Sequence, residues 1–247
     1  MPTLRASARR KEPARGRDRV RTLGGRVRHI VLRVLLVALL APPLLLLVYR
    51  FVPPPVTPLM LIRLGQGEAL HKEWQPLADI APTLAAAVVA AEDNRFCEHW
   101  WFDWQALKGE IAAWRAGEEP RGASTITMQT AKNLFLWPDR SLFRKALEAP
   151  LTPQIEVLWP KRRIIEVYLN IGEFGPGIDG AEAAAQGFFG KPAAALGARE
   201  AALLAAALPS PRISSPARPS AWLEDRARTI RTRIDQLGPM LECVRAG

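Results

Sequence analysis

Glu92 lies near the middle of LAAAVVAAEDNRFCEHWWFDW, residues 84 to 104, where Leu84, Val88 and Glu92 recur at i, i+4 and i+8. On a helix this spacing puts the carboxylate on the same face as two residues that seek a core. A glutamate withdrawn from water can act as a general base near neutral pH and activate a weak oxygen nucleophile. Asp93, Arg95, His99 and Asp103 follow and give it polar company. The competing reading is an exposed glutamate at a fraying helix end, paired with Arg95.

A second group of chemical residues begins at RGASTITMQ, residues 121 to 129. Ser124 or Thr125 is a natural N-cap for the apolar helix that follows. The functional alternative is a turn that presents hydroxyls and backbone N–H groups to an anion. Lys132, Arg140, Arg144 and Lys145 come within 14 residues, with Glu148 just beyond. Such a cluster fits a solvated face with an Arg144–Glu148 pair one turn apart, and it equally fits a clamp for pyrophosphate.

These residues need helices to hold them. Asp79 with Pro82 starts the helix that carries Glu92, and Asp103 can cap another through Leu107, Ile111 and Trp114. Pro160 opens KRRIIEVYLN, in which Ile164, Ile165, Tyr168 and Leu169 form a core stripe. Gly172 to Gly180 reads as a glycine-rich loop, AEAAAQGFFG as a small-residue helix ended by Gly190, and Arg199 to Leu208 as an alanine-rich helix. An arginine-studded helix near Trp222 to Leu237 closes the chain. Pro150 and Pro153 are expected to kink the helix after Glu148. Residues 59 to 64, LMLIRL, read as a short strand, with a Gly-Gln-Gly turn and a second strand near Leu70 to Trp74.

The net charge of +10 is confined to one end of the chain. Residues 1 to 50 hold 12 Lys or Arg against Glu12 and Asp18, and the rest hold 22 of each sign. A nucleic-acid-binding domain spreads its charge over a folded face, so nucleic acid is not an expected partner. Residues 1 to 29 read as a disordered basic tail. Residues 30 to 52, IVLRVLLVALLAPPLLLLVYRFV, are long and apolar enough to span a bilayer. The long basic region before them and the lack of a small-residue cleavage site favour an uncleaved anchor over a signal peptide. Ten positive residues before Ile30 orient the N-terminus to the cytoplasm and the remainder across the membrane. Residues 53 to 58, PPPVTP, read as a stiff spacer, and residues 59 to 247 as one catalytic domain. In an oxidising compartment Cys97 and Cys243 can pair, with two free thiols as the alternative. No Cys/His spacing resembles a zinc site.

Taken together, the motifs resemble the peptidoglycan glycosyltransferases, glycosyltransferase family 51. EDNRFCEHWWFDW is similar to the family's EDxxFxxHxGxD, and RGASTITMQTAKNLFL to its GxSTITQQ with the lysine and asparagine that follow. RKALE resembles RKxxE, KRRIIEVYLN the fourth motif and GIDGAEAAAQGFFGK the fifth. The resemblance covers residues 60 to 215, and with no transpeptidase domain following it points to the single-domain branch of Gram-negative inner membranes.

The resemblance implies a mainly α, lysozyme-like, two-lobed domain behind one transmembrane helix. It implies Glu92 as the base and Glu148 as the second carboxylate. Asp93, His99, Ser124, Thr125, Gln129, Lys132, Asn133, Arg140, Arg144 and Lys145 match family positions around the substrate or neighbour them. The implied partners are lipid II, the growing lipid-linked glycan and the inner membrane, with cell-division or penicillin-binding proteins as candidates. No cofactor is required, and Mg²⁺ or Mn²⁺ at the pyrophosphate is the candidate metal. Two positions depart from the motifs: Trp101 stands where the family has glycine, and Met128 removes a polar side chain from the expected cleft. Trp101 is expected to point out of the cleft, toward lipid or the mobile lobe. A muramidase or lytic transglycosylase, and an inactive lipid II-binding scaffold, are the alternative readings.

Overall fold

The computed structural model describes residues 15–100, 108–109, 112, 115–116, 124–139 and 141–244. Trp101, Asp103 and Arg140 lie outside these residues. The described chain is mainly helical, as expected.

The first helix, α1 (Arg15–Tyr49), is longer than the expected span and continues through Pro42 and Pro43. Residues 15 to 29, expected to be disordered, belong to it. Arginine is a good helix former, and adding turns to an existing helix costs no new nucleus. Within α1, Arg28–Tyr49 is 22 residues long and apolar enough to cross a membrane.

Residues 45 to 247 form a compact unit of their own. It begins with the last turn of α1, whose carbonyls are met by side chains of the globular part. The Trp159 indole donates to the Leu46 carbonyl at 2.7 Å. The Arg163 guanidinium donates to the Tyr49 carbonyl at 2.7 and 2.9 Å and stacks over Trp74. The Tyr49 carbonyl is one that a helix C-terminus leaves open, whereas the Leu46 carbonyl also accepts from Arg50 N at 2.9 Å. Residues 53 to 57 form no helix or strand, and Lys72 Nζ fastens them by bonds of 2.5 and 2.9 Å to the carbonyls of Pro54 and Pro55.

The segment expected to be a strand at 59 to 64 is instead α2 (Pro58–Gly65). The cap decides it: Thr57 Oγ1 accepts from Met60 N, and Pro58 occupies the first turn, where its missing N–H costs nothing. A run of Leu, Met and Ile carries no alternation by which to choose between helix and strand. The second expected strand is present as β1 (His71–Lys72). The glycine-rich loop is a small hairpin, β2 (Glu173–Gly175) and β3 (Ile178–Asp179), with sheet order β1-β3-β2. Gly177 makes its turn at φ +69°, and a side chain there would collide with the Ala69 carbonyl.

The core is built on α3 (Pro82–Glu92), α8 (Ala198–Ala207) and α9 (Ala221–Leu237). Leu84 to Ala90 and Ala201 to Ala207 are buried throughout, and α9 adds Leu223, Ala227 and Ile230. The second wall comprises α4 (Ile126–Phe135), α5 (Leu142–Leu158) and α6 (Lys161–Ile171), followed by α7 (Ala181–Phe189), which Gly190 ends at φ +65°. Pro150 and Pro153 do not break α5. The Thr152 hydroxyl and Gln154 amide bond to the carbonyls of Glu148 and Pro150 around them. A disulfide joins Cys97, just after α3, to Cys243 in the closing 3₁₀ segment, with 5.6 Å between the Cα atoms. This resolves the pair that the sequence left open.

Candidate active site

α3 ends at Glu92, and α4 begins where Asp93 meets it. Asp93 Oδ2 accepts from Ile126 N at 3.1 Å, and both of its oxygens lie 2.9 Å from His99 Nε2. Thr125 Oγ1 accepts from Met128 N at 3.2 Å. Asp93, His99 and Thr125 are all buried. Protein groups therefore close two of the open donors at the start of α4, and the N-cap reading of Thr125 is the one observed. The expectation that this turn offers its N–H groups to an anion does not hold for Ile126 and Met128. Ser124 is exposed.

One turn into α4, Gln129 links three elements. Its Nε2 donates to Glu92 Oε2 at 2.8 Å, and its Oε1 accepts from the Tyr168 hydroxyl of α6 at 3.0 Å. Glu92 is half-buried rather than exposed at a frayed end. Met128 is buried in the body of α4 and is not among the residues that line the cavity beside Gln129. Thr127 donates to Glu156, which also receives Lys161 at 2.8 Å. These buried polar groups of α4, α5 and α6 are partnered with one another, as burial requires.

Gln129 and Tyr168 open onto a cavity of about 470 Å³, lined also by Lys132, Asn133, Arg144, Glu173 and the turn from Trp137 to Asp139. Leu59 and the segment around Pro209 complete it. Arg144 pairs with Glu148, one turn on in α5, and both are largely buried. Burial pushes the Lys132 ammonium below its usual range; the Arg144 charge adds to this, while Glu92 and Glu173 oppose it. Two neighbouring cations, of which only Arg144 has a carboxylate partner among the described residues, one turn away, are chemically able to attract an anion. Lys145 is exposed and is not among the residues lining the cavity.

The structure thus gathers Glu92, Gln129, Lys132, Asn133, Arg144 and Glu148 at or against one cavity, with Asp93, His99 and Thr125 buried as supports. Tyr168 was read from the sequence as core. It is indeed 2% exposed, but its hydroxyl reaches Gln129. A tyrosine in an otherwise aliphatic stripe was the available signal, because a buried phenol needs a partner. Glu173 stands in a segment that the sequence reads as a glycine-rich loop, and no local pattern marks it as part of the cavity wall.

The transglycosylase family profile matches residues 60–235, into α9 and so beyond the 215 expected from the motifs. Among curated relatives, a protein of Rhodospirillum centenum named biosynthetic peptidoglycan transglycosylase is 58% identical over 187 residues, covering 75% of this chain and 81% of the relative. Proteins of the same name from Caulobacter vibrioides and Pseudomonas fluorescens are 48% and 49% identical over 204 and 201 residues. These alignments cover 83% and 79% of this chain and 89% and 84% of the relatives. The mainly helical, lysozyme-like expectation stands with this match. The chain belongs to the transglycosylase family.

Proposed function

We propose that the protein polymerises lipid II into β-1,4 glycan strands. Glu92 takes the proton of the 4-hydroxyl on the acceptor's GlcNAc. That oxygen bonds to C1 of the MurNAc at the end of the lipid-linked donor chain, and the bond from C1 to the pyrophosphate oxygen breaks with inversion. Undecaprenyl pyrophosphate leaves with the electron pair. Lys132 and Arg144 neutralise the charge that grows on it, with Arg140 as a further family-matched cation. Glu148 holds Arg144 in place for that task. The observation that carries this reading is one cavity wall with Lys132 and Arg144 beside Gln129, whose amide bonds Glu92.

A muramidase or lytic transglycosylase would also use a single glutamate. It cleaves a neutral glycan, however, and has no pyrophosphate to bind, so the cation pair favours synthesis. Among the described residues, no three His, Cys, Asp or Glu side chains gather as a metal set. Glu173 of the cavity wall is instead bonded to Arg63 and Arg212. The described side chains thus provide no all-protein cage, so Mg²⁺ or Mn²⁺ would be held chiefly by the pyrophosphate itself, and the proposed reaction is written without a step through a metal.

The apolar part of α1 would anchor the enzyme in the inner membrane with its N-terminus in the cytoplasm and residues 53 to 247 in the periplasm. The ten positive residues before Ile30 and the Cys97–Cys243 disulfide both support this placement. The test is incubation of the purified protein with lipid II. Muramidase-sensitive polymer is the expected product. Cleavage of preformed glycan without polymerisation would give the lytic reading, and no turnover would leave a scaffold.

A further inference from the structure

Tyr168 and Gln129 form a chain of two hydrogen bonds that ends on Glu92. An ionised carboxylate only accepts, whereas a primary amide has a donor end and an acceptor end. Gln129 can therefore face Glu92 in two ways. With Nε2 toward it, the amide stabilises the carboxylate; with Oε1 toward it, the amide stabilises the carboxylic acid, which has a proton to give. The choice is made at the far end of the side chain. A phenol that keeps its proton donates to Oε1 and leaves Nε2 for Glu92, which is the arrangement observed at 3.0 and 2.8 Å. Burial, then the charges of Glu92 and Asp93, hold the Tyr168 hydroxyl well above its usual range, so it keeps its proton at neutral pH.

We propose that Tyr168 is a positioning residue for the reaction: its hydroxyl fixes the orientation of the Gln129 amide so that Glu92 meets the acceptor hydroxyl as a carboxylate. This rests on Glu92 being the base. Tyr168 of α6 and Lys132 of α4 face Glu92, and Asp93 adjoins it along the chain. Arg144 of α5 and Glu173 of β2 act on Lys132 in turn. All of these except Tyr168 itself are unchanged in the variant that matters, Tyr168→Phe, which keeps the ring and removes only the donor.

The test is kcat and KM for lipid II across the acid and neutral range. Tyr168→Phe should leave KM nearly unchanged and lower kcat, with a deficit about tenfold larger on the acid side than at the plateau. Gln129→Leu, which leaves Tyr168 untouched, should show the same acid-side deficit. Adding Tyr168→Phe to Gln129→Leu should then do nothing more. A cooperative thermal transition above the assay temperature shows that each variant is folded, and Gln129→Leu carries the test by itself if Tyr168→Phe fails that check. A parental pH profile in the folded variants, or an undiminished effect of Tyr168→Phe without Gln129, would overturn the proposal. Glu92→Gln separates the two levels. If it polymerises normally, the assignment of the base fails; if it is dead while Tyr168→Phe keeps the parental profile, only the role of Tyr168 falls.

Discussion

The bundle of α3, α8 and α9 and the wall of α4, α5 and α6 bury their side chains by opposite means. The bundle is small and apolar: Ala85, Ala86, Ala87 and Ala90 of α3 pack with Ala201, Ala202, Ala205, Ala206 and Ala207 of α8. Without polar atoms to satisfy, it is held by close backbone approach and dispersion. The wall buries Thr127, Thr130, Glu148, Glu156 and Asn170, each held by hydrogen bonds or an ion pair. Asn170 alone bonds to Gln75 N, Gln75 O and Glu166 O, each at 2.8 Å. Polar burial adds little net stability and fixes directions, which is what a site that must aim a carboxylate and two cations requires. Stability and aim are thus separated in space, with Glu92 at the seam.

That separation can be broken at several points. The largest expected effect is on the bundle side, at the disulfide between Cys97 and Cys243, which are 146 residues apart. Replacing both cysteines with serine should cost about 2–5 kcal/mol of stability. Reductant should lower the parental Tm and leave that of the double variant unmoved. Ala205→Leu comes next: overpacking the α8 face should cost about 1–3 kcal/mol, measured by urea unfolding. The polymerisation rate per folded molecule should stay at the parental value, because no aimed group has moved.

On the wall, the signs should reverse. Lys132→Met should raise stability by about 0.5–2 kcal/mol, because a charge held where burial disfavours it is removed, while donor affinity falls. The pH dependence follows from the lowered Lys132 value. Between that value and the ordinary 10.5, the unfolded chain binds more protons than the folded one, so stability rises with pH through this window. Below the window the cost is fully present. Lys132→Met should flatten this slope. A variant that loses both stability and affinity would show that Lys132 supports the fold as well as the cavity.

The sequence carried the helices of the bundle well, because α8 and α9 are bounded by glycine, proline and serine and are long enough for their pattern to be read. It misjudged α2, where a short apolar run has no period and the deciding bond, Thr57 to Met60, is a cap. It made a loop of the hairpin at Glu173 to Asp179, whose pairing partner His71–Lys72 lies far off in sequence. At the site, Glu92, Gln129, Lys132 and Arg144 were legible from the motifs that carry them. Nothing local marks the bonds from Tyr168 to Gln129 and from Gln129 to Glu92, because they cross 39 and 37 residues. The resemblance placed Thr125 and Asp93 around the substrate; in the folded chain their side chains also start α4, and the bond from Asp93 crosses 33 residues, so no local pattern marks it.

The most direct test of the account is Glu92→Gln, which keeps the size and hydrogen-bonding capacity of the side chain and removes its ability to take a proton. Lipid II binding and the polymerisation rate are measured on the same preparation. Binding should stay near the parental value, because the cations of the cavity are intact, and the rate should fall by about 10²- to 10⁴-fold. Polymerisation at the parental rate would contradict the assignment of Glu92 as the base.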